Sequence, residues 1–349
     1  MTDNIDLFVT NYNKNFTGVS ATTANVLIKQ TQIYNSRLVG YPLPDCPKPV
    51  SRTTAYSFAK VKPRNKPFSI WHVRRNNEMR DAIIARDIFG LPIKIVFTSA
   101  AQRRHSLVPR WLISKMDTVI ATTKLAASYV PNVGAIIPHG VNTEKFTPSN
   151  NLREAWKKTG YPGVKGIATV GRIRKEKGTD LFVDSMIRVL PNMKDLTALV
   201  IGKAGDKDKS FLENLKSKVN TAGLNNRIIF TGEISAEKIP SIFRSLSLLV
   251  ALPRYEGYGM TPLEGMASGV PFVASNTGYF NEFSDQGRCG KVVPIEDLSS
   301  AVDCINLFLT EEAYRSEASI RSRTAADETY SISNEVELIS DVYKQLWSL

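Results

Sequence analysis

Leu248-Leu249-Val250-Ala251-Leu252-Pro253-Arg254-Tyr255-Glu256-Gly257-Tyr258-Gly259-Met260-Thr261-Pro262-Leu263-Glu264 is the stretch on which the reading turns. The apolar run Leu248 to Leu252 predicts a buried strand, and the glycines that follow predict a tight turn into a helix. A strand-to-helix turn of this kind leaves backbone N–H groups free and aims a helix N-terminus into a crevice, which suits a phosphate or sugar hydroxyls. Glu256 and Glu264, with seven residues between them, bracket the turn. Thr261-Pro262-Leu263-Glu264 also fits a capping box with proline at the first helical position. Capping accounts for Glu264 alone, and leaves Glu256, Gly257 and Gly259 to be explained by a ligand.

Upstream, Val170-Gly171-Arg172-Ile173-Arg174-Lys175-Glu176-Lys177-Gly178 repeats the arrangement of strand end and helix start. Fixed cations there stabilise a leaving group that gains negative charge, as a departing nucleoside diphosphate does. Arg172 can fork two phosphate oxygens and Lys177 supplies a point charge, whereas Arg174 and Lys175 read as solvated. The alternative is that all four are a solvated helix start.

Around these motifs, short β-branched runs alternate with helical stretches: Ile167 to Val170, Thr197 to Ile201, Arg227 to Phe230, Leu248 to Ala251 and Val270 to Ala274. A weaker version precedes them at Ile5 to Val9, Phe68 to Val73, Lys94 to Thr98, Thr118 to Ala121 and Ala135 to Ile137. The rhythm predicts an α/β chain of two Rossmann-like domains with parallel sheets, residues 1–150 and 151–330. Their linker is expected at Thr147-Pro148-Ser149-Asn150. In residues 331–349, Val336, Ile339, Val342, Tyr343 and Leu346 fall at helical spacing and predict an amphipathic helix packing back across the domains.

The 349 residues carry a net charge of +12, unevenly distributed. Residues 1–150 hold 20 Lys and Arg against 8 Asp and Glu, and the remainder is balanced at 25 of each. A basic first half predicts an anionic partner, such as a membrane leaflet or a phosphorylated glycolipid. Nucleic acid is disfavoured, because neither a binding module nor aromatic residues interleaved with the cations are present. Cys46, Cys289 and Cys304 are too few and too scattered for a disulfide framework or a zinc site. The polar start Met1-Thr2-Asp3-Asn4 carries no leader, and no apolar run reaches the roughly 18 residues of a membrane span. The expectation is a cytoplasmic protein, peripheral on the inner face of the cytoplasmic membrane.

Taken together, the turn from Glu256 to Glu264 and the basic Gly171 to Gly178 segment resemble the family 4 retaining glycosyltransferases of GT-B fold. The resemblance implies that Glu256 lies near the donor sugar, that Glu264 binds the nucleotide ribose, and that Arg172 and Lys177 bind the diphosphate. It also implies that the amides of Gly257, Tyr258, Gly259 and Met260 cradle the distal phosphate and sugar. Phe16-Thr17-Gly18-Val19-Ser20 sits where the family has a glycine loop, Ile137-Pro138-His139-Gly140-Val141-Asn142 resembles its segment near the interdomain crossing, and Ile234 and Lys238 lie where the nucleobase packs. Many members place a histidine after the strand corresponding to Ile95-Val96-Phe97, where this chain has Thr98-Ser99. The candidates to line the cleft instead are His72, with a catalytic role, and Arg74, Arg75, Arg103 and His105, with acceptor-binding roles. Trp71 to Asn76 and Phe97 to Arg103 resemble, more narrowly, bacterial lipopolysaccharide-core mannosyltransferases.

That resemblance implies transfer of a hexose, mannose from GDP-mannose, onto a lipopolysaccharide core or other lipid-linked glycan, with retention and with no cofactor or metal. A UDP-sugar donor and a nucleotide-sugar epimerase of the same architecture stay open as alternatives. The segment Arg103 to Asp117 combines Arg103, Arg104, Arg110 and Lys115 with Leu107, Val108, Trp111, Leu112 and Ile113. Either it meets an anionic membrane or it packs Trp111 into the core.

Overall fold

The computed structural model describes residues 4–348; Met1, Thr2 and Asp3 of the expected polar start, and Leu349 of the expected last segment, lie outside them. The chain divides into two compact units, one running to Gly140 and resuming at Tyr330, the other formed by Val141–Thr329.

In the N-terminal unit the strands are β1 (Leu7–Asn11), β2 (Ser36–Gly40), β3 (Ser69–Val73), β4 (Ile93–Ser99), β5 (Thr118–Ala121) and β6 (Val133–Ile136). They form one parallel sheet in the order β2-β1-β3-β4-β5-β6. Side chains alternate across it, as the pleat requires. Trp71, Val73, Ile95 and Phe97 enter the core on one face. Ile70, Val96 and Ile120 enter the other, beneath the helices Gly18–Gln30 and Ile332–Trp347.

The C-terminal unit contains β7 (Lys165–Val170), β8 (Leu196–Ile201), β9 (Ile228–Gly232), β10 (Leu246–Ala251), β11 (Phe272–Ser275) and β12 (Gly290–Val293). Their order, β12-β11-β10-β7-β8-β9, is the Rossmann order. In each sheet the winding reverses once, at β1/β3 in the first and β7/β10 in the second. Adjacent loops leave in opposite directions there and open a crevice at the C-terminal strand ends.

Two boundaries differ from the sequence expectation. The first unit ends at Gly140 instead of residue 150, because Phe146 packs on Phe243 with ring centroids 5.7 Å apart. The Arg323 guanidinium also binds the carbonyls of Thr143 at 3.3 Å and Phe146 at 2.9 Å. Long-range packing, which the Pro- and Asn-rich composition near residue 148 does not report, assigns this segment to the second core. The final helix is capped by Ser331, whose hydroxyl accepts from the Asn334 amide at 3.2 Å. It buries Val336, Ile339, Val342, Tyr343 and Leu346 in the N-terminal unit. It is an element of that unit's core and not a third segment.

Candidate active site

The β7/β10 switch point holds the two motifs from which the sequence was read. The 3-10 turn Lys175–Lys177 ends at Gly178, whose φ of 67° is left-handed. A Cβ there would lie 1.7 Å from the Leu252 carbonyl oxygen. Only glycine lets the loop after β7 approach the loop after β10 so closely. The approach brings the Lys177 ammonium onto the Glu256 carboxylate in an ion pair that is about three-quarters buried. Glu256 is further held by its own amide, which donates to Thr277 Oγ1 at 3.1 Å, and by the Gly257 amide, which donates to Glu256 Oε1 at 3.1 Å.

Lys177, Glu256, Gly171, Gly259 and Thr261 line one recess with Phe280. Gly259 caps the helix Met260–Ala267 at a φ of 94°, where a Cβ would strike the Phe280 ring at 2.1 Å. The turn backbone thus packs directly on an aromatic floor. The Gly257 amide is already occupied by Glu256, and the Tyr258 side chain is buried, stacked on Tyr279 at 5.2 Å. Arg172 is exposed beside Gly171 and makes no hydrogen bond or ion pair among the described residues. Ile234 lies apart, in a second recess lined by Tyr161 and Lys238.

The capping box expected at Thr261 does not form. The helix starts two residues earlier than Pro262, at Met260, so Thr261 and Pro262 are its second and third residues and Glu264 lies in its second turn. The left-handed glycine, not a hydroxyl, sets the start. Glu264 is therefore released from a capping role. Its carboxyl keeps some accessible surface, yet the protein crowds it closely, and burial pushes its pKa up to about 7 against a smaller opposing pull from Lys145.

In the N-terminal unit, the loop after β1 leads into Gly18, the first residue of the helix Gly18–Gln30. A Cβ on Gly18 would meet nothing within 4 Å, so the loop lies beside open space. Arg75 was expected to bind the acceptor, but its guanidinium is turned inward. It binds Asn11 Oδ1 at 3.1 Å, Ser20 Oγ at 3.0 Å and Glu78 Oε1 at 2.8 Å, and so braces the glycine loop.

His72 also departs from expectation. It is fully buried, with Nδ1 bonded to the Tyr343 hydroxyl and Nε2 to Thr98 Oγ1 at 2.7 Å. Both ring nitrogens are occupied by protein, and burial with nearby Arg74 drives the pKa well below that of free imidazole. A neutral, enclosed imidazole is a core group and not a catalytic one. Thr98, at the position where a histidine was expected, serves as its partner. His105 is partly exposed with Nε2 enclosed and unpartnered, and burial, then Arg103, lowers its pKa. Arg103 is exposed on the same loop. His139 is buried against Glu335 Oε1 at 2.8 Å, and Glu335 Oε2 accepts from the Gly140 amide at 2.7 Å.

Residues 153–325 match the model of the family described as Glycosyl transferases group 1. Over 347 residues the chain is 37% identical to the lipopolysaccharide core biosynthesis mannosyltransferase LpsB of Rhizobium meliloti (strain 1021), covering 98% of each chain. It is 35% identical over 344 residues to the lipopolysaccharide core biosynthesis mannosyltransferase LpcC of Rhizobium leguminosarum bv. viciae, covering 98% of this chain and 97% of that one. The chain belongs to the group 1 glycosyltransferases. The crystal structure of Anabaena Alr3699/HepE in complex with UDP superposes with a TM-score of 0.83 at 14% identity, over 98% of this chain and all of that one. The glycosyltransferase thus has the two-unit GT-B fold that its motifs led one to expect.

The sequence did not single out the residues that hold this glycosyltransferase site in place. Arg254, inside the deciding stretch, pairs with Asp180 through two bonds of 2.9 Å and with Glu296 at 2.6 Å, while its amide donates to the Glu176 carbonyl at 2.9 Å. It fastens the Lys177 loop to the Glu256 turn. Its place two residues before Glu256 was a usable signal. Glu78 is fully buried and accepts from the amides of Tyr12, Arg74 and Arg75 at 2.8–3.1 Å. It anchors both N-terminal loops, and nothing in its local sequence announces that role.

Proposed function

We propose that this glycosyltransferase moves mannose from GDP-mannose onto a lipopolysaccharide core or other lipid-linked acceptor, with retention of the anomeric configuration. The observation that carries the reading is the Lys177–Glu256 pair at the β7/β10 switch point, in a chain alike over its whole length to two lipopolysaccharide core mannosyltransferases.

In this mechanism the bond from sugar C1 to the diphosphate oxygen breaks first, leaving an oxocarbenium-like sugar. The acceptor oxygen forms the new bond to C1 on the same face and passes its proton to the departing phosphate. Arg172 and Lys177 meet the developing negative charge, so no metal is called on for that task. Glu256 orients Lys177 and stands beside the sugar. Gly257, Gly259 and Met260 supply close backbone, Glu264 takes the ribose, and Ile234 packs on the base.

Binding to an anionic membrane is favoured by the surface of the helix Leu107–Ser114. Leu107 is 80% exposed, Val108 69% and Trp111 56%, while Leu112 and Ile113 supply the buried side. Trp111 is therefore outside the core, flanked by Arg110 and with Lys115 Nζ 5.9 Å from its ring centre. Exposed apolar side chains among cations suit the headgroup boundary of an anionic leaflet. In this reading the protein is peripheral, at the cytoplasmic face. No helix among the described residues is long and apolar enough to cross a membrane.

The test is incubation with labelled GDP-, UDP- and ADP-sugars, with and without a lipid-linked core acceptor, in EDTA and then with added divalent cation. Mannosylated lipid formed from GDP-mannose in EDTA supports the reading. Transfer from a UDP-sugar alone replaces the donor, donor isomerisation without glycosylated product replaces the transferase with an epimerase, and dependence on added cation removes the metal-free step.

A further inference from the structure

Arg74 follows β3 directly, at the β1/β3 switch point where the N-terminal sheet opens its crevice. Its backbone is fixed, since the amide donates to Glu78 Oε2 at 2.8 Å. Its guanidinium is not: Nε and Nη1 are sealed from solvent and have no hydrogen-bond partner among the described residues, while the residue as a whole keeps some accessible surface through which a ligand can reach it. Burial lowers its pKa, partly offset by Tyr343, Glu335 and Glu78.

The carboxylates close enough to influence Arg74 are committed elsewhere. Glu335 holds His139 and the Gly140 amide, and Glu78 holds three backbone amides and the Arg75 guanidinium. An enclosed cation without a counter-ion is costly, and a site that keeps one is complete only when a ligand brings the negative charge. At the ends of the next two strands, Ser99 Oγ and Thr122 Oγ1 are likewise enclosed and unpartnered, so the unmet polar demand clusters along this one sheet edge.

We infer that Arg74 is the receptor for an oxyanion, a carboxylate or a phosphate, carried by the sugar acceptor. The assignment rests on the glycosyltransferase reading and adds to it the side chain in the N-terminal unit that grips the acceptor's acidic group. A planar guanidinium suits either oxyanion, since both present paired oxygens. The donor diphosphate is a separate anion, allotted above to Arg172 and Lys177.

The experiment compares the whole protein with Arg74→Met and Arg74→Lys, using thermal shift and calorimetry with glucuronate, mannose 6-phosphate, neutral mannose and GDP. The wild-type protein is expected to bind at least one acidic sugar and not mannose, the responding sugar telling carboxylate from phosphate. Arg74→Met should weaken that binding at least tenfold while the unliganded melting temperature holds or rises, because an apolar chain replaces an unpaired buried cation. Arg74→Lys, which keeps the charge and loses the planar fork, should fall between and serves alone if the methionine variant does not fold. The inference is overturned if neither acidic sugar binds, if Arg74→Met only lowers the melting temperature, or if GDP binding weakens as much as acidic-sugar binding. Failure of the glycosyltransferase reading has a different signature: no transfer from any donor, with the acidic-sugar response intact.

Discussion

The two units handle their charged side chains in opposite ways. Around the β7/β10 switch point the ions that join the two loops are matched within the protein, Lys177 with Glu256 and Arg254 with Asp180 and Glu296, while Arg172 stands exposed to solvent. Residues 151–349 are electrically neutral as a whole. At the N-terminal switch point Arg74 is unmatched, and the exposed cations beside Trp111 have few acids near them in sequence. A pocket of paired ions exists before its ligand arrives and holds its geometry unaided. A pocket with surplus positive charge is incomplete until an anion arrives, and charge is then a means of selection. This difference suits a common activated donor on one side and a distinctive acidic acceptor on the other.

The largest effect should come from breaking the matched pair. Lys177→Ala is expected to cut turnover by about 100- to 1,000-fold, the range for loss of one group aimed at developing charge. Steady-state kinetics on protein of unchanged melting temperature would check it; wild-type turnover would remove Lys177 from the mechanism. Next, Gly178→Ala tests whether close approach of the two loops builds the pair. The left-handed backbone and the contact with the Leu252 carbonyl predict a loss of about 1–3 kcal/mol, read by denaturant titration. An unchanged midpoint would show that the loops join by other means.

On the unmatched side, replacing Leu107 and Trp111 together by Ser should weaken binding to anionic vesicles about tenfold, with little change in stability since both side chains are exposed. Salt should weaken what remains, and binding indifferent to both changes would place the membrane contact elsewhere.

The smallest effect concerns Glu264. Its folded pKa of about 7 lies above the ordinary carboxyl value of 4.5, so between those values the unfolded chain has released a proton that the folded protein retains. Stability contributed by this group is present below about pH 4.5 and declines as pH rises through 7. Glu264→Gln should flatten that part of the stability profile. If the ionised carboxylate accepts from ribose hydroxyls, nucleotide binding near pH 7 should release a proton, visible by calorimetry in buffers of different ionisation enthalpy.

The sequence made the β7/β10 switch point easy to read because the motifs there are contiguous: strand, glycine turn, helix, with the charged groups inside each. The strands it missed, β2 and β12, are four or five residues long and form sheet edges, where burial is partial and hydrophobic patterning weak. It misjudged His72 and Arg75 for another reason. Whether a polar side chain faces a ligand or the interior depends on partners distant in sequence, Tyr343 for His72 and Asn11 and Ser20 for Arg75. Trp111 shows the same gap from the other direction: helical spacing allowed both core and surface, and only the packed structure chose.

Because the helix Ile332–Trp347 supplies part of the N-terminal core, that unit is assembled from two segments separated by the whole of the other unit. During synthesis the residues up to Gly140 leave the ribosome without the segment that covers one face of their sheet, whereas Val141–Thr329 is contiguous and can close first. Maturation then runs against the order of translation, and a nonsense codon just after Thr329 injures the half that was made earlier.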